Sequence, residues 1–332
     1  MTAPAPFPRS RALAAALVLS LALAACGGED TSVDADAGAT DDAAATSEAS
    51  AEPAGTTESF PVTVEDDYGE VTIESRPERI VSLAPATTEI LFAVGAGGQV
   101  VAADEFSTYP ATAPTTDLSG YDPNVEAVVA YEPDLVVVSL DANDIVESLQ
   151  ALDITVLVND APVDADGGYG VITTLGRATG HADEAAGVVS GMQAALEDAY
   201  AAAPEDSGLR VYHELDDTFF AASSSSFIGS VYEQMGAVNI ADDADPDRTG
   251  YPQLTEEAIV AADPELIVIS DQAPYTAEDV AARPGWSEIT AVRNGDIVTV
   301  DADVSSRWGP RLPQLVRLLA EAMGAAHAPS GR

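Results

Sequence analysis

One segment occurs twice in the sequence, and this repeat constrains the fold more than any other feature. Residues 124–139 are NVEAVVAYEPDLVVVS and residues 255–270 are TEEAIVAADPELIVIS, with eight of the sixteen positions identical. In each copy a short helical pattern meets Pro133 or Pro264, which cannot continue a helix and favours extended geometry in the residue before it. The apolar runs LVVV and LIVI that follow are typical of strands buried on both faces of a parallel sheet. Two copies therefore predict an α/β chain with two similar lobes.

The elements around the two copies follow the same order. Each copy is preceded by a strand, a helix that ends at Gly95 or Gly236, and a second strand; a helix and a last strand come after it. Between the halves, residues 181–203 show a helical pattern roughly 35 Å long at 1.5 Å per residue. The predicted domains are a first lobe over residues 60–180, an inter-lobe helix over residues 181–204 and a second lobe over residues 205–332.

The first helix of the first lobe is predicted to begin at about Thr87. Glu89 then occupies the acidic position of a capping box. The other half of that box is missing, because residue 86 is alanine. The sequence therefore predicts a helix start that is only partly capped.

The charge of the chain excludes one class of partner. Its 332 residues carry 13 basic residues, all arginine, against 56 acidic ones, for a formal net charge of −43. Such a surface repels phosphate backbones, so nucleic-acid binding is not expected. Codon bias or adaptation to salt would produce the same acidity. No nucleophile with a base and no phosphate-binding glycine loop is evident, so we expect no enzyme activity and no cofactor.

The N-terminus resembles a bacterial lipoprotein signal. Arg9 and Arg11 precede an apolar run that is too short to span a bilayer and that ends in the lipobox-like LAAC at Cys26. We expect residues 1–25 to be a signal peptide and residues 26–59 an acidic flexible linker. A lipid on Cys26 would hold the protein on the cell membrane, facing outside the cytoplasm. An ordinary secretion signal or an uncleaved anchor is the alternative.

Four ordered motifs resemble the periplasmic-binding proteins for vitamin B12 and iron-siderophores. They are RIVSLAPATTEILFAVGAGGQVV from Arg79, the NVE and EPDLVV of the first repeat copy, FIGSVYEQMGAVNIA from Phe227 and SRWGPR from Ser306. The resemblance covers the chain from about Phe60 to Met323. It implies a class III fold, with two α/β lobes joined by one rigid helix and a ligand in the cleft. It also implies a monomeric substrate-binding lipoprotein of an ABC importer, working with a permease dimer and a cytoplasmic ATPase.

The same resemblance suggests how the permease is contacted. In the B12-binding members, one glutamate from each lobe meets arginines on the permease. The matching residues are Glu126 and Glu257, the third residue of each repeat copy. A carboxylate at the start of a helix is also favoured by the helix dipole, so local stabilisation is the alternative.

Ligand-binding candidates lie on loops that follow strands, because ligands in such folds lie outside the carboxyl ends of parallel strands. By the resemblance, Tyr251 falls where B12-binding relatives have a tryptophan, Tyr109 matches a tyrosine before proline, and Tyr121 lies beside a family tryptophan. Aromatic rings offer a macrocycle flat apolar contact, although packing within the loops is the alternative. Of Phe219 and Phe220, one is expected in the core and the other in the cleft, and Phe220 is taken as the cleft residue.

Arginines after the last strand form a second group of candidates. Arg307 and Arg311, with Trp308 between them, could hold a carboxylate, phosphate or siderophore oxygen through forked hydrogen bonds. The alternative is that both arginines pair with surface carboxylates.

The segment HELDD from His213 is a third candidate. His213 is only a weak metal candidate, because side chains alternate along a strand and cannot all converge. Asp216 and Asp217 near the cleft disfavour anionic ferric siderophores. We therefore predict a cobalt corrinoid as the ligand, with an iron-siderophore or haem as the alternative. A surface sensor of the same fold that transports nothing is the alternative from another class.

Overall fold

The computed structural model describes residues 59–162, 164–204 and 207–327. The predicted signal peptide, Cys26 and nearly all of the linker lie outside the described residues. Two four-stranded parallel sheets flanked by helices dominate the described part, which confirms the α/β class. We call the parts built around these sheets the first lobe and the second lobe.

The first lobe begins with an antiparallel hairpin whose turn is closed by Asp66, since its Oδ1 accepts hydrogen bonds from the backbone N–H groups of Tyr68 and Gly69. The first sheet has the strand order β4-β3-β5-β6. In chain order the elements are β1 (Val62–Asp66), β2 (Gly69–Ile73), β3 (Ile80–Ser82), α1 (Pro85–Ala93), β4 (Val100–Ala103), α2 (Val125–Val129), β5 (Leu135–Val138), α3 (Ile145–Gln150), β6 (Thr155–Val158) and α4 (Ala165–Thr179).

The second lobe repeats this order after one long helix. Its sheet has the strand order β8-β7-β9-β10. Numbered along the chain within each sheet, the strands of both sheets therefore lie in the same spatial order, 2-1-3-4. This shared topology confirms the duplication. The elements are α5 (Ala182–Ala201), β7 (Arg210–His213), α6 (Phe227–Gln234), β8 (Val238–Asn239), α7 (Glu256–Ala262), β9 (Leu266–Ser270), α8 (Ala277–Ala281), α9 (Thr290–Asn294), β10 (Ile297–Val300), α10 (Ala302–Ser305) and α11 (Leu312–His327).

The two repeat copies match down to single hydrogen bonds. Arg79 Nε donates to the carbonyl of Glu132 at 2.9 Å, and Arg210 Nε donates to the carbonyl of Asp263 at 2.8 Å. The expected extended geometry before each proline is wrong, because Glu132 and Asp263 have φ of 49° and 48°. A left-handed residue ends the helix and also avoids the right-handed region that proline disfavours in its neighbour.

One apolar cluster continues from the first lobe into the second. Helix α5 has 20 residues, about 30 Å at the usual rise, and packs against α4 and α11. The cluster joins Ile80 and Leu135 of the first sheet, Met192 of α5, and Val211 and Leu266 of the second sheet. None of the helices in the described ranges is long and apolar enough to cross a membrane.

Candidate functional site

The carboxyl ends of the two sheets border a cavity of about 460 Å³. The first lobe contributes the loops after all four strands of its sheet, including Ala84–Thr87 after β3 and Asn159 after β6. The second lobe contributes Gln272 after β9 and the segment from Ala302 to Trp308 after β10. A cavity of this volume is usual for a small-molecule site. In open α/β folds, ligands bind outside the carboxyl ends of the parallel strands, which is where this cavity lies.

A buried glutamate of the first lobe holds both predicted arginines of the second lobe. Glu89 is 4% exposed, and its carboxylate accepts from Arg311 Nε at 2.8 Å and from Arg311 Nη2 at 2.5 Å. Arg307 Nη1 reaches the same carboxylate at 3.4 Å. The capping role expected for Glu89 is wrong, because α1 begins two residues earlier than predicted and Glu89 is its fifth residue.

Further contacts complete this inter-lobe ion-pair cluster, which we define as Glu89, Asp303, Arg307 and Arg311. Arg307 Nη2 donates to Asp303 at 2.6 Å, and the Arg311 guanidinium lies 4.2 Å above the Tyr109 ring. The hydrogen bonds that Arg311 donates to Glu89 raise the pKa of Arg311. Each arginine is thus neutralised within the protein, and neither has a charge to spare for an anionic ligand.

The predicted aromatic residues divide between the cavity and its surroundings. Trp308 is 5% exposed, lines the cavity and meets the ring of Tyr169 edge-on at 5.4 Å. Only glycine fits beneath it, because a Cβ on Gly168 would lie 2.1 Å from the indole. Tyr121 also lines the cavity and is 73% exposed, whereas Tyr109 borders a neighbouring pocket together with Arg311.

Three other candidates lie on loops of the second lobe and do not line the cavity. Asp217, Phe220 and Tyr251 are exposed, and Phe220 pairs through its backbone with Gln253. Phe219 is partly buried and stacks on Trp286 at 6.2 Å, as expected of the core member of the pair, whereas Phe220, the expected cleft member, does not line the cavity.

A buried ion pair supports the loop that carries Phe220. Glu214 is fully buried, and its two oxygens accept from Arg283 Nη1 and Nη2 at 2.7 Å each. The guanidinium lies over three aromatic rings, 4.6 Å from Trp286, 5.0 Å from Tyr275 and 5.5 Å from Phe219. Such forked geometry with ring stacking is what arginine provides and lysine does not.

His213, the weak metal candidate, points into the core. It is 3% exposed, and its Nδ1 is 2.8 Å from the hydroxyl of Tyr232. Burial lowers the pKa of His213 to about 4. Across the described ranges no three histidine, cysteine or acidic side chains are grouped as metal ligands would be. His213 is therefore a core residue whose imidazole is neutral at pH 7.

This burial makes stability depend on pH in a defined window. Unfolded His213 takes up a proton below pH 6.5 while the folded form stays neutral until about pH 4. Stability from this residue is therefore complete above pH 6.5 and falls by about 3 kcal/mol as the pH drops to 4. Urea unfolding at pH 7, 5.5 and 4 should show a shallower loss for His213→Gln than for the wild-type chain. Equal losses would contradict the assignment.

The two predicted docking residues occupy equivalent positions. Glu126 and Glu257 are each the second residue of a short helix, after the capping residues Asn124 and Thr255. Both are exposed, and neither has a hydrogen-bond or ion-pair partner within the described part of the chain. Their carboxylates are thus available to another protein.

Several cavity residues were not predicted from the sequence. Phe106, Asn159 and the turn at Ala84–Thr87 line the cavity, and Glu89 lies beside it holding Arg307, but none of them was chosen as a ligand-binding residue. For Asn159 and the turn a signal existed, since each directly follows a predicted strand at its carboxyl end. For Glu89 no such signal exists, because its partners are more than two hundred residues away in sequence.

Comparison with known proteins gives the family. The family model described as periplasmic binding protein matches residues 80–304. The uncharacterized ABC transporter substrate-binding lipoprotein YvrC of Bacillus subtilis is 37% identical over 279 residues, 80% of this chain and 87% of that protein. The cobalamin-binding protein of Halobacterium salinarum is 33% identical over 276 residues, 80% of this chain and 74% of its own length.

A solved structure supports the same fold. The periplasmic heme-binding protein RhuT from Roseiflexus sp. RS-1 aligns with a TM-score of 0.65 and 24% identity, covering 75% of this chain and 99% of that one. The duplicated sheets, the inter-lobe cavity and the long family match agree with one another. The chain belongs to the periplasmic binding protein family.

Proposed function

We propose that the protein is the extracytoplasmic substrate-binding component of an ABC importer and that it captures a corrinoid. The observation that carries the ligand class is the inter-lobe ion-pair cluster. Because Glu89 and Asp303 neutralise Arg307 and Arg311, the described lining of the cavity offers no free cation to a multiply charged ferric siderophore. A corrinoid of low net charge needs none. The cobalamin-binding relative supports the same choice.

Titration calorimetry on the full chain tests this ligand. We expect cyanocobalamin to bind with a submicromolar dissociation constant, and a ferric hydroxamate siderophore to bind at least a hundredfold more weakly, about 3 kcal/mol. Haem is the second candidate, because a haem-binding protein shares the fold. Submicromolar binding of haem or siderophore with no binding of cyanocobalamin would overturn the corrinoid assignment.

The proposed partners are a permease dimer and the membrane. Glu126 and Glu257 are acidic groups without a partner in the described ranges, at matching places on the two lobes, as a partner with two-fold symmetry would need. A lipid on Cys26 would keep the protein close to the permease. Metabolic labelling with a fatty-acid probe should mark the wild-type protein and not Cys26→Ser.

A further inference from the structure

We propose that the first turn of α1 and the amide of Asn159 form a hydrogen-bond donor subsite that takes an uncharged oxygen, such as an amide carbonyl, of the ligand. This inference rests on the proposed function for the identity of the ligand. It adds to that function the polar group that the cavity recognises.

The first turn of α1 lacks the partner that a helix start normally has. Its capping residue is Ala84, whose side chain cannot accept a hydrogen bond. The backbone N–H groups of Ala86 and Thr87 have no acceptor among the described residues, and both residues line the cavity. The first N–H groups of a helix need an acceptor from outside it.

The second lobe shows what a capped start looks like. Its corresponding helix α6 begins after Ser226, whose hydroxyl accepts from the N–H of Gly229 at 3.1 Å. That helix start does not line the cavity. The two halves therefore differ in capping at this pair of equivalent helix starts, and of the two only the uncapped start lines the cavity.

Asn159 provides an independent observation at the same cavity. It is 5% exposed and lines the cavity, and its Nδ2 has no hydrogen-bond partner in the described ranges. A buried amide N–H without a partner is unfavourable, because it has lost its hydrogen bonds to water and gained none within the protein. Nδ2 itself is shielded from the cavity in this conformation. A half-turn of the amide, which the broad and nearly two-fold last torsion of asparagine allows, presents its N–H groups to a ligand.

Charge decides which acceptor the subsite takes. Arg307 is the only cation among the described lining residues, and it is held by Asp303 and Glu89. Asp160 also lines the cavity, where burial and the nearby Asp67 and Asp66 raise its pKa. A carboxylate or phosphate of the ligand would meet these acidic groups without a free cation, whereas a carbonyl oxygen would not.

Two substitutions test the subsite, and one of them should raise stability while it lowers affinity for the ligand. Ala84→Ser adds a cap that accepts the free N–H groups itself, so we expect a higher melting temperature without ligand and about threefold to tenfold weaker cyanocobalamin binding. Asn159→Asp replaces the donor by an acceptor of the same shape, and we expect at least tenfold weaker binding. Ala93→Ser at the other end of α1 and Asn294→Asp on the exposed end of α9 are the matched controls.

The outcomes separate this inference from the choice of ligand. Weaker cyanocobalamin binding in both variants and in neither control supports the subsite. Unchanged affinity in either variant contradicts it, as does tighter binding by Asn159→Asp, which would mean that the ligand presents a donor. If wild-type protein binds haem and not cyanocobalamin, the corrinoid proposal fails, and the same variants are titrated with haem under the same criteria. Absence of binding to both ligands would count against both proposals.

Discussion

Replacing Glu214 with alanine is expected to lower the free energy of unfolding by about 3–5 kcal/mol, the usual cost of removing one partner from a buried ion pair. The carboxylate is fully buried and is the ion-pair partner of Arg283. Without it, a guanidinium that is 16% exposed keeps its charge beneath three aromatic rings. Urea denaturation of the full chain at pH 7 measures the loss.

A double substitution separates the buried charge from simple loss of packing. Glu214→Leu with Arg283→Met removes both charges and keeps apolar volume, so most of the stability should return. Glu184→Ala removes a carboxylate that is 59% exposed and lies 3.8 Å from His181, and we expect a change below about 1 kcal/mol. A loss of that small size for Glu214→Ala would show that Arg283 finds water when its partner is removed.

Uptake of labelled cyanocobalamin should be abolished by Glu126→Ala combined with Glu257→Ala, with the affinity for the ligand unchanged. Both carboxylates are exposed, have no partner among the residues that the structure describes and lie outside the cavity lining, so their loss removes charge from the surface and leaves the site intact. Charged groups at an interface govern the rate and specificity of association, and deleting one partner of a buried pair typically costs 2–5 kcal/mol. Each single substitution should reduce uptake partially.

A pair of exposed glutamates on two other equivalent helices, one in each lobe, provides a control with the same change of charge. Glu147 and Glu278 lie in the first turns of α3 and α8, which follow β5 and β9 in the two lobes, and both are exposed. The variant with both of these residues changed to alanine should transport normally. Normal uptake by Glu126→Ala with Glu257→Ala would remove the proposed docking role and leave the helix dipole as the reason for these glutamates.

The architecture was predictable because its signals are local. Apolar runs, prolines and terminal glycines gave the order of strands and helices around each repeat copy, and the helical pattern over residues 181–203 is present as α5. The repeat gave two lobes, and the identical topology of the two sheets follows from it. The geometry before Pro133 and Pro264 was not predicted, because two backbone conformations avoid the clash with proline and the sequence does not choose between them.

The polar wall of the cavity was predictable only in part. Arg307 and Trp308 were found from their place after the last strand, but the sequence could not show that Glu89 neutralises both arginines. Contacts between distant segments depend on how the lobes are placed, and charge patterns along the chain do not encode that placement. The same limit applies to Tyr251 and Phe220, since loop order does not fix which loops approach one another.

The apolar cluster that continues through α5 bears on how empty and ligand-loaded protein would compete for the permease. Parting the lobes would expose this shared core to water, so the spacing of Glu126 and Glu257 stays nearly the same whether the cavity is full or empty. On the proposed docking role of these two glutamates, an empty receptor would present the same docking face as a loaded one. We expect excess ligand-free protein to act as a competitive inhibitor of import, and uptake to depend on the ratio of loaded to empty receptor at the membrane.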